Sequence, residues 1–314
     1  MRVPRRLSEI LKQKQEFIDN NRDKLEKAVI KLQGQLQSKL LSDIDLDVSE
    51  GVIKDSVKNY RKLADVDKVF KDFEKLSEKT ITSQVSNATS GLINLGQTYF
   101  EVALTYLAKT FEKTIKDTAH KMNLRIGLEG GKIVSGGFLE SLIKNNTLES
   151  AVKNFVSKAV TGQIDTKEFI KGLSTIVTGD ESPGGLEKQY QRYGYDLYQQ
   201  YDRAYNTSLA DEFSMNYFLY QGGLIDDSRD FCAAHNNKVW TREEAETWIY
   251  WTPAQGEYPA GYQVKQKDIY EVPSYLGYAG YQSLIDFGGY RCRHGIGWIS
   301  DELAFDLRPD LKKL

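Results

Sequence analysis

Between Pro4 and Pro183 the chain contains no proline, a run of 178 residues without the one side chain that breaks a helix outright. An internal proline removes a backbone donor and clashes with the preceding turn, at a cost of about 3 kcal/mol. So long a stretch without one permits helices well beyond the usual three or four turns. The apolar residues use that permission. Leu7, Ile10, Leu11, Phe17, Ile18, Leu25, Val29, Leu32, Leu36 and Leu40 keep the three-to-four spacing of one helical stripe, with Lys, Glu, Gln and Asp between them. A second stripe runs from about Val52 to Leu76 through Val57, Tyr60, Leu63, Val66, Phe70 and Phe73, and a third from about Val85 to Ile115. Short polar joints such as "SDIDLDVSEG" separate them, which predicts long antiparallel helices.

The pattern then changes. "RIGLEGGKIVSGGF", Arg125 to Phe138, carries five glycines in fourteen residues. A phosphate-cradling loop is excluded because Ile133, not Ser or Thr, follows Lys132. Gly130-Gly131 between short β-prone runs predicts a hairpin or hinge instead. Two shorter helices are expected at about Leu148–Val160 and Thr166–Ile176, ended by "TGDESPGG". A single tyrosine-rich helix should follow from Leu186 to Phe213. Tyr190, Tyr193, Tyr198, Tyr201 and Tyr205 share one of its faces, suited either to an interface or to packing within the protein. From Phe231 onward lie both cysteines, all four tryptophans and four of the six prolines. "KVW" there reads as a strand, and Thr241 with Glu244 three residues on as a capping box opening a helix. The expected fold class is α+β, mainly α: a long-helix region over 1–124, a glycine-rich hinge with short helices over 125–185, and a compact C-terminal unit with short strands over 186–314.

The net charge of −2 gives no general affinity for nucleic acid. The charge is unevenly spread, however: residues 1–40 hold ten Lys/Arg against five Asp/Glu, and residues 126–314 hold nineteen against twenty-six. Basic side chains on the first helix could meet DNA or an acidic partner, or simply face solvent. No segment approaches the ~18 apolar residues of a membrane span, and the N-terminus lacks the apolar core of a secretory signal, so no membrane partner is expected. Two cysteines do not make a disulfide framework, in keeping with a reducing compartment.

Those two cysteines nevertheless have company. The chain has three histidines, and two of them stand beside the cysteines, in "FCAAHNNKVW" and "GGYRCRHGIGW". Cys232 and His235, with Cys292 and His294, supply the two thiolates and two imidazoles of a closed tetrahedral zinc site. A metal-free buried knot and a Cys232–Cys292 disulfide are the other two readings open at this point, and all three are structural. His120, near a helix end, is expected to cap it or face solvent.

The order "YDRAYNTSLADEF", "DSRDFCAAHNNKVW", a variable insertion, then "GGYRCRHGIGWIS" resembles the head-morphogenesis domain of the Mu F-like minor head proteins of tailed phages. Asp227, Arg229, Cys232, Lys238, Val239, Trp240, Cys292, Arg293 and His294 occupy the places of that family's Asp-x-Arg-x-x-Cys turn, Lys-Val-aromatic strand and closing Cys-Arg-His. The likeness covers roughly residues 150–300. His235 stands where many relatives have a second cysteine, and Gly288 and Gly289 stand where an upstream histidine is common. The resemblance implies a low-copy virion component, made in the host cytoplasm, that joins the procapsid at the portal vertex. Its partners would be the portal protein and the major capsid or scaffold proteins, in head assembly or genome packaging and delivery. The resemblance implies no enzymatic activity. The N-terminal helices resemble the family only in being helical; read from their own residues they form an assembly arm whose basic first helix could reach genomic DNA.

Two other classes compete. A metal-dependent nuclease would use His235 as base, oriented by Asn236 or Asn237, with Asp227 and Asp230 as acidic ligands. A helical adaptor unrelated to phages would use the basic N-terminus and the tyrosine face, but would leave the Cys/His pairs unexplained.

Overall fold

The computed structural model describes residues 3–104, 111–265, 281–289 and 291–313. The fold is α+β and mainly α, with long N-terminal helices and a few short antiparallel strands. The chain gathers into two compact units that are discontinuous in sequence. One comprises Met1–Asn20, Ala88–Asn123 and Asp196–Leu314, the other Asn21–Asn87 and Leu124–Tyr195. This division differs from the consecutive segments drawn on the sequence. Breaks in hydrophobic pattern mark the ends of elements, whereas the two longest helices each supply residues to both units.

The first helix, Arg5–Asp43, follows its stripe: Leu7, Ile10, Leu11 and Ile18 are buried in one unit, and Leu25, Val29, Leu32, Leu36 and Leu40 in the other. The second and third expected helices are joined otherwise. Val48–Ser49 and Val52–Ile53 pair as a hairpin, turning through Glu50 and Gly51, both at positive φ. A short helix, Val57–Arg61, starts on a Ser56 cap, and one continuous helix then runs Leu63–Ala103. No break occurs between Leu76 and Val85, because Ser77, Ile81, Val85, Ala88 and Leu92 carry the buried stripe straight through. Hydroxyls in this helix bond back four residues, Thr80 to the Leu76 carbonyl and Thr98 to the Asn94 carbonyl, so they do not compete for the helix's own donors. The part of the third expected helix at residues 105–110 lies outside the described residues. Helix resumes at Phe111–Ile126, with His120 exposed within it.

In the unit that holds Leu124–Tyr195, the glycine hairpin pairs Leu128–Glu129 with Lys132–Ile133 around Gly130 and Gly131, both at positive φ. Helices Asn146–Thr161 and Thr166–Val177 follow where expected, capped by the Asn145 and Asp165 side chains.

The expected tyrosine helix is two helices, Gly185–Tyr193 and Leu197–Glu212. Gly194 ends the first, packed so closely that a Cβ there would sit 2.6 Å from the Tyr190 ring. Tyr190, Tyr198, Tyr201 and Tyr205 are all buried, so these four rings serve internal packing, not an exposed interface; the side chain of Tyr193 lies outside the described residues.

In the other unit, helix Leu197–Glu212 lies on a three-stranded antiparallel sheet. Strand Tyr217–Gln221 is central, flanked by Lys238–Thr241 and Gly295–Ile299. Strand alternation sends Leu219 to one face, into a cluster with Val239, Ile299, Ala304 and Leu311. Phe218 and Tyr220 go to the opposite face, among Trp248, Trp298, Phe231 and Phe287. The capping box forms as predicted at Thr241 and Glu244. Among the described residues no helix is long and apolar enough to cross a membrane.

Candidate metal centre

The aromatic face of the sheet holds the cysteines. Cys232 lies mid-way along the helical turn Asp230–His235, and Cys292 and His294 lie just before strand Gly295–Ile299. Their ligand atoms converge. The two sulfurs are 3.9 Å apart, His294 Nδ1 is 3.9 Å from Cys292 Sγ, and all three atoms fall within 4.8 Å of one another. The three side chains are buried, and both thiols are free. Around a zinc ion, with bonds of about 2.3 Å to sulfur and 2.0–2.1 Å to nitrogen, the tetrahedral edges are about 3.8 Å for S–S and 3.6 Å for S–N. The donor set and its spacing therefore suit a metal ion.

His235, the fourth expected ligand, is not brought to this group. Its Nδ1 donates to the Phe231 carbonyl at 2.7 Å, and its ring stacks on Phe231 at 4.0 Å and leans on Trp240 at 4.6 Å. Trp248 and Trp251 present edges to the same ring. Position 235 ends the helical turn that carries Cys232, and the aromatic box takes the imidazole as a flat, largely apolar body. Burial pushes its pKa down to about 3, so it is neutral at ordinary pH. Three other residues weighed for a nuclease are engaged elsewhere or exposed. Asn236 accepts from the Gly222 amide, Asp230 accepts from Tyr262 Oη and the Lys265 amide, and Asp227 is exposed.

Three residues outside the expected ligand set complete the surroundings, and of these only Gly288 is singled out by the sequence. Tyr220 is fully buried, and its hydroxyl lies 3.4 Å from Cys232 Sγ and 3.6 Å from Cys292 Sγ. Its ring stacks on His294 at 4.8 Å. "YFLYQ" reads as an apolar strand, but a tyrosine on a wholly buried face must find a partner for its hydroxyl, and that was the available signal.

Gly288 lies against the sulfurs. A Cβ there would stand 2.6 Å from Cys232 Sγ and 3.4 Å from Cys292 Sγ, so a side chain at position 288 has no room without moving the thiols.

Arg203, 2% exposed, sends four hydrogen bonds to carbonyl oxygens: two to His294, one to Cys292 and one to Ile285. It also lies 4.5 Å over the Phe287 ring. The guanidinium thereby fixes the backbone that carries two of the three metal-type ligands. Arg293, next to Cys292, instead reaches outward to Asp19 at 3.7 Å.

The electrostatics fit one thiolate shared between two sulfurs. Burial pushes the Cys292 thiol up, but its hydrogen bond with Cys232, the Arg203 charge and His294 outweigh burial and hold it well below the usual thiol range. The bond to Cys292 and burial push Cys232 up. Burial first, then the two neighbouring sulfurs, push the Tyr220 hydroxyl well up. A cation entering this group would find one anionic sulfur ready and would displace the remaining proton from the pair.

The chain matches no protein-family model, no curated protein and no solved structure.

Proposed function

We propose that this chain is a non-enzymatic minor head protein of a tailed phage, acting at the portal vertex during procapsid assembly, and that a structural zinc ion pins its C-terminal region through Cys232, Cys292 and His294. The observation that carries the reading is the convergence of the motif blocks. Arg203 from the first block, Cys232 from the second and Cys292 with His294 from the third meet in one buried knot, although 29 and 60 positions separate them. Burial favours a structural role, since a buried thiolate and imidazole offer a substrate no approach. The exposed basic side chains of helix Arg5–Asp43 are the surface through which it would meet DNA or an acidic face of the portal or capsid proteins.

The test is association. Gradient-purified procapsids and mature particles of the virus encoding the chain should contain it at low copy by quantitative mass spectrometry, together with portal protein. Its absence from both kinds of particle would overturn the assignment.

A further inference from the structure

A trio of ligands leaves one corner of a tetrahedron to fill, and the Tyr220 hydroxyl lies within reach of both sulfurs. Around zinc, an oxygen donor at about 2.0–2.2 Å lies about 3.5 Å from each thiolate sulfur. Tyr220 Oη stands 3.4 Å from Cys232 Sγ and 3.6 Å from Cys292 Sγ, and these are the spacings of two tetrahedral edges. A Cβ added at Gly288 would stand 2.6 Å from Cys232 Sγ and 3.4 Å from Cys292 Sγ, so the sulfurs have no space for a further side chain there. We infer that the Tyr220 phenolate oxygen is the fourth donor, making a closed Cys232–Cys292–His294–Tyr220 centre for a divalent ion of the zinc class. This rests on the metal reading proposed above.

Charge counting agrees. Two thiolates and one phenolate contribute −3, the ion +2 and the Arg203 guanidinium +1, so the buried assembly is neutral with its arginine included. Arg203 is well placed for this, since all four of its hydrogen bonds end on neutral carbonyls. A fully coordinated ion has no open position for a substrate water, which is the mark of a structural site. The phenolic proton leaves to solvent as the metal enters, so Tyr220 adds one released proton per ion to those released by the thiols.

The experiment adds Zn²⁺, and in parallel Co²⁺, to the metal-free, fully reduced full-length protein in weak buffer. It reads bound metal, released protons and the ultraviolet difference band of phenolate. One ion per chain is expected, with a phenolate band, and with one proton more per ion than Tyr220→Phe releases. Tyr220→Phe should bind roughly 10–100-fold more weakly and shift the visible Co²⁺ spectrum. Metal bound without a phenolate band, at equal proton release, would overturn the tyrosine ligand and leave the three-residue centre standing. Metal bound equally by Cys292→Ser and His294→Ala would overturn the centre itself. The phenolate band is read in the unaltered protein, so a variant that fails to fold does not remove the test.

Discussion

The sulfurs of Cys232 and Cys292 stand 3.9 Å apart, although 60 positions separate the two residues. No bond joins them. Each is set by its own backbone, Cys232 by a helical turn and Cys292 by the Arg203 clamp, and Tyr220 reaches both from the central strand. Such a pair can share a proton, hold a metal or oxidise, and these fates are separable by measurement. Protein made and kept under reducing conditions should carry about one zinc per chain and two protected thiols that become countable on chelation. Cys232→Ser, Cys292→Ser and His294→Ala should each lose the metal, while His235→Ala should retain it. Loss of zinc from His235→Ala alone, with the other three variants loaded, would refute the ligand set.

Gly288 makes a sharper probe, because it alters packing and no ligand. Gly288→Ala places a methyl group within 2.6 Å of Cys232 Sγ, so the sulfur or the turn must shift. Metal affinity should fall by ~10-fold or more, with stability reduced by ~1–3 kcal/mol. Gly223→Ala, where the added methyl meets nothing within 4 Å, serves as the comparison and should be nearly silent. Titration of both variants with zinc decides it; equal affinities would mean that the thiols have slack the structure does not show.

How much of this was legible beforehand depends on the kind of signal. The helix Arg5–Asp43, the hairpin at Gly130-Gly131, the paired helices after Asn145 and the Thr241 capping box follow local rules, and local rules are written in neighbouring residues. The joint expected near Leu76–Val85 does not exist, because a serine- and threonine-rich stretch keeps a buried face at helical spacing. Cys232, Cys292 and His294 stood out through their rarity. His235 stood out equally, yet its ring is claimed by four aromatic neighbours, Phe231, Trp240, Trp248 and Trp251, whose closure around it depends on how the turn, strand and helices between them fold back. Tyr220 offers only the weak signal of a hydroxyl on a buried apolar strand, and the role of Gly288 arises only when strand, turn and helix meet.

Arg203 offers a test of the scaffold behind the centre. Arg203→Lys keeps the charge but loses the planar fork, leaving carbonyls of Ile285, Cys292 and His294 with one flexible ammonium among them. A loss of ~3 kcal/mol or more is expected, in the range for breaking a buried charged network. Tryptophan fluorescence during urea unfolding can follow it, since Trp240, Trp248, Trp251 and Trp298 all lie in this unit. A midpoint unchanged from the parent protein would show that the clamp contributes little.

The helical stripe can be checked apart from the site. Leu25 is fully buried and Lys24 exposed, one residue apart on helix Arg5–Asp43. Leu25→Asp should cost roughly 3–5 kcal/mol by placing an unpaired carboxylate among Leu32, Ile81 and Tyr190. Lys24→Ala should stay within ~0.5 kcal/mol. Circular dichroism on heating is sufficient to separate the two; similar melting points for both variants would contradict the assigned face.

The last prediction uses His235 as an internal acid gauge. Its pKa is lowered in the folded protein to about 3, chiefly by burial, from the ordinary 6.5. The unfolded chain therefore binds the proton more readily, and between those two values it holds more protons than the folded one. Stability from this residue is fully present above pH ~6.5, falls by ~1.4 kcal/mol for each unit of pH below that, and stops falling near pH ~3. His235→Phe keeps an aromatic ring in the box and removes the titration. Urea unfolding of both proteins from pH 7.5 to 4.5, in the presence of chelator so that metal release adds nothing, should give curves that diverge as pH falls, the parent protein losing more. Parallel curves across that range would mean that His235 takes up its proton in the folded state, and that the aromatic box opens to let it do so.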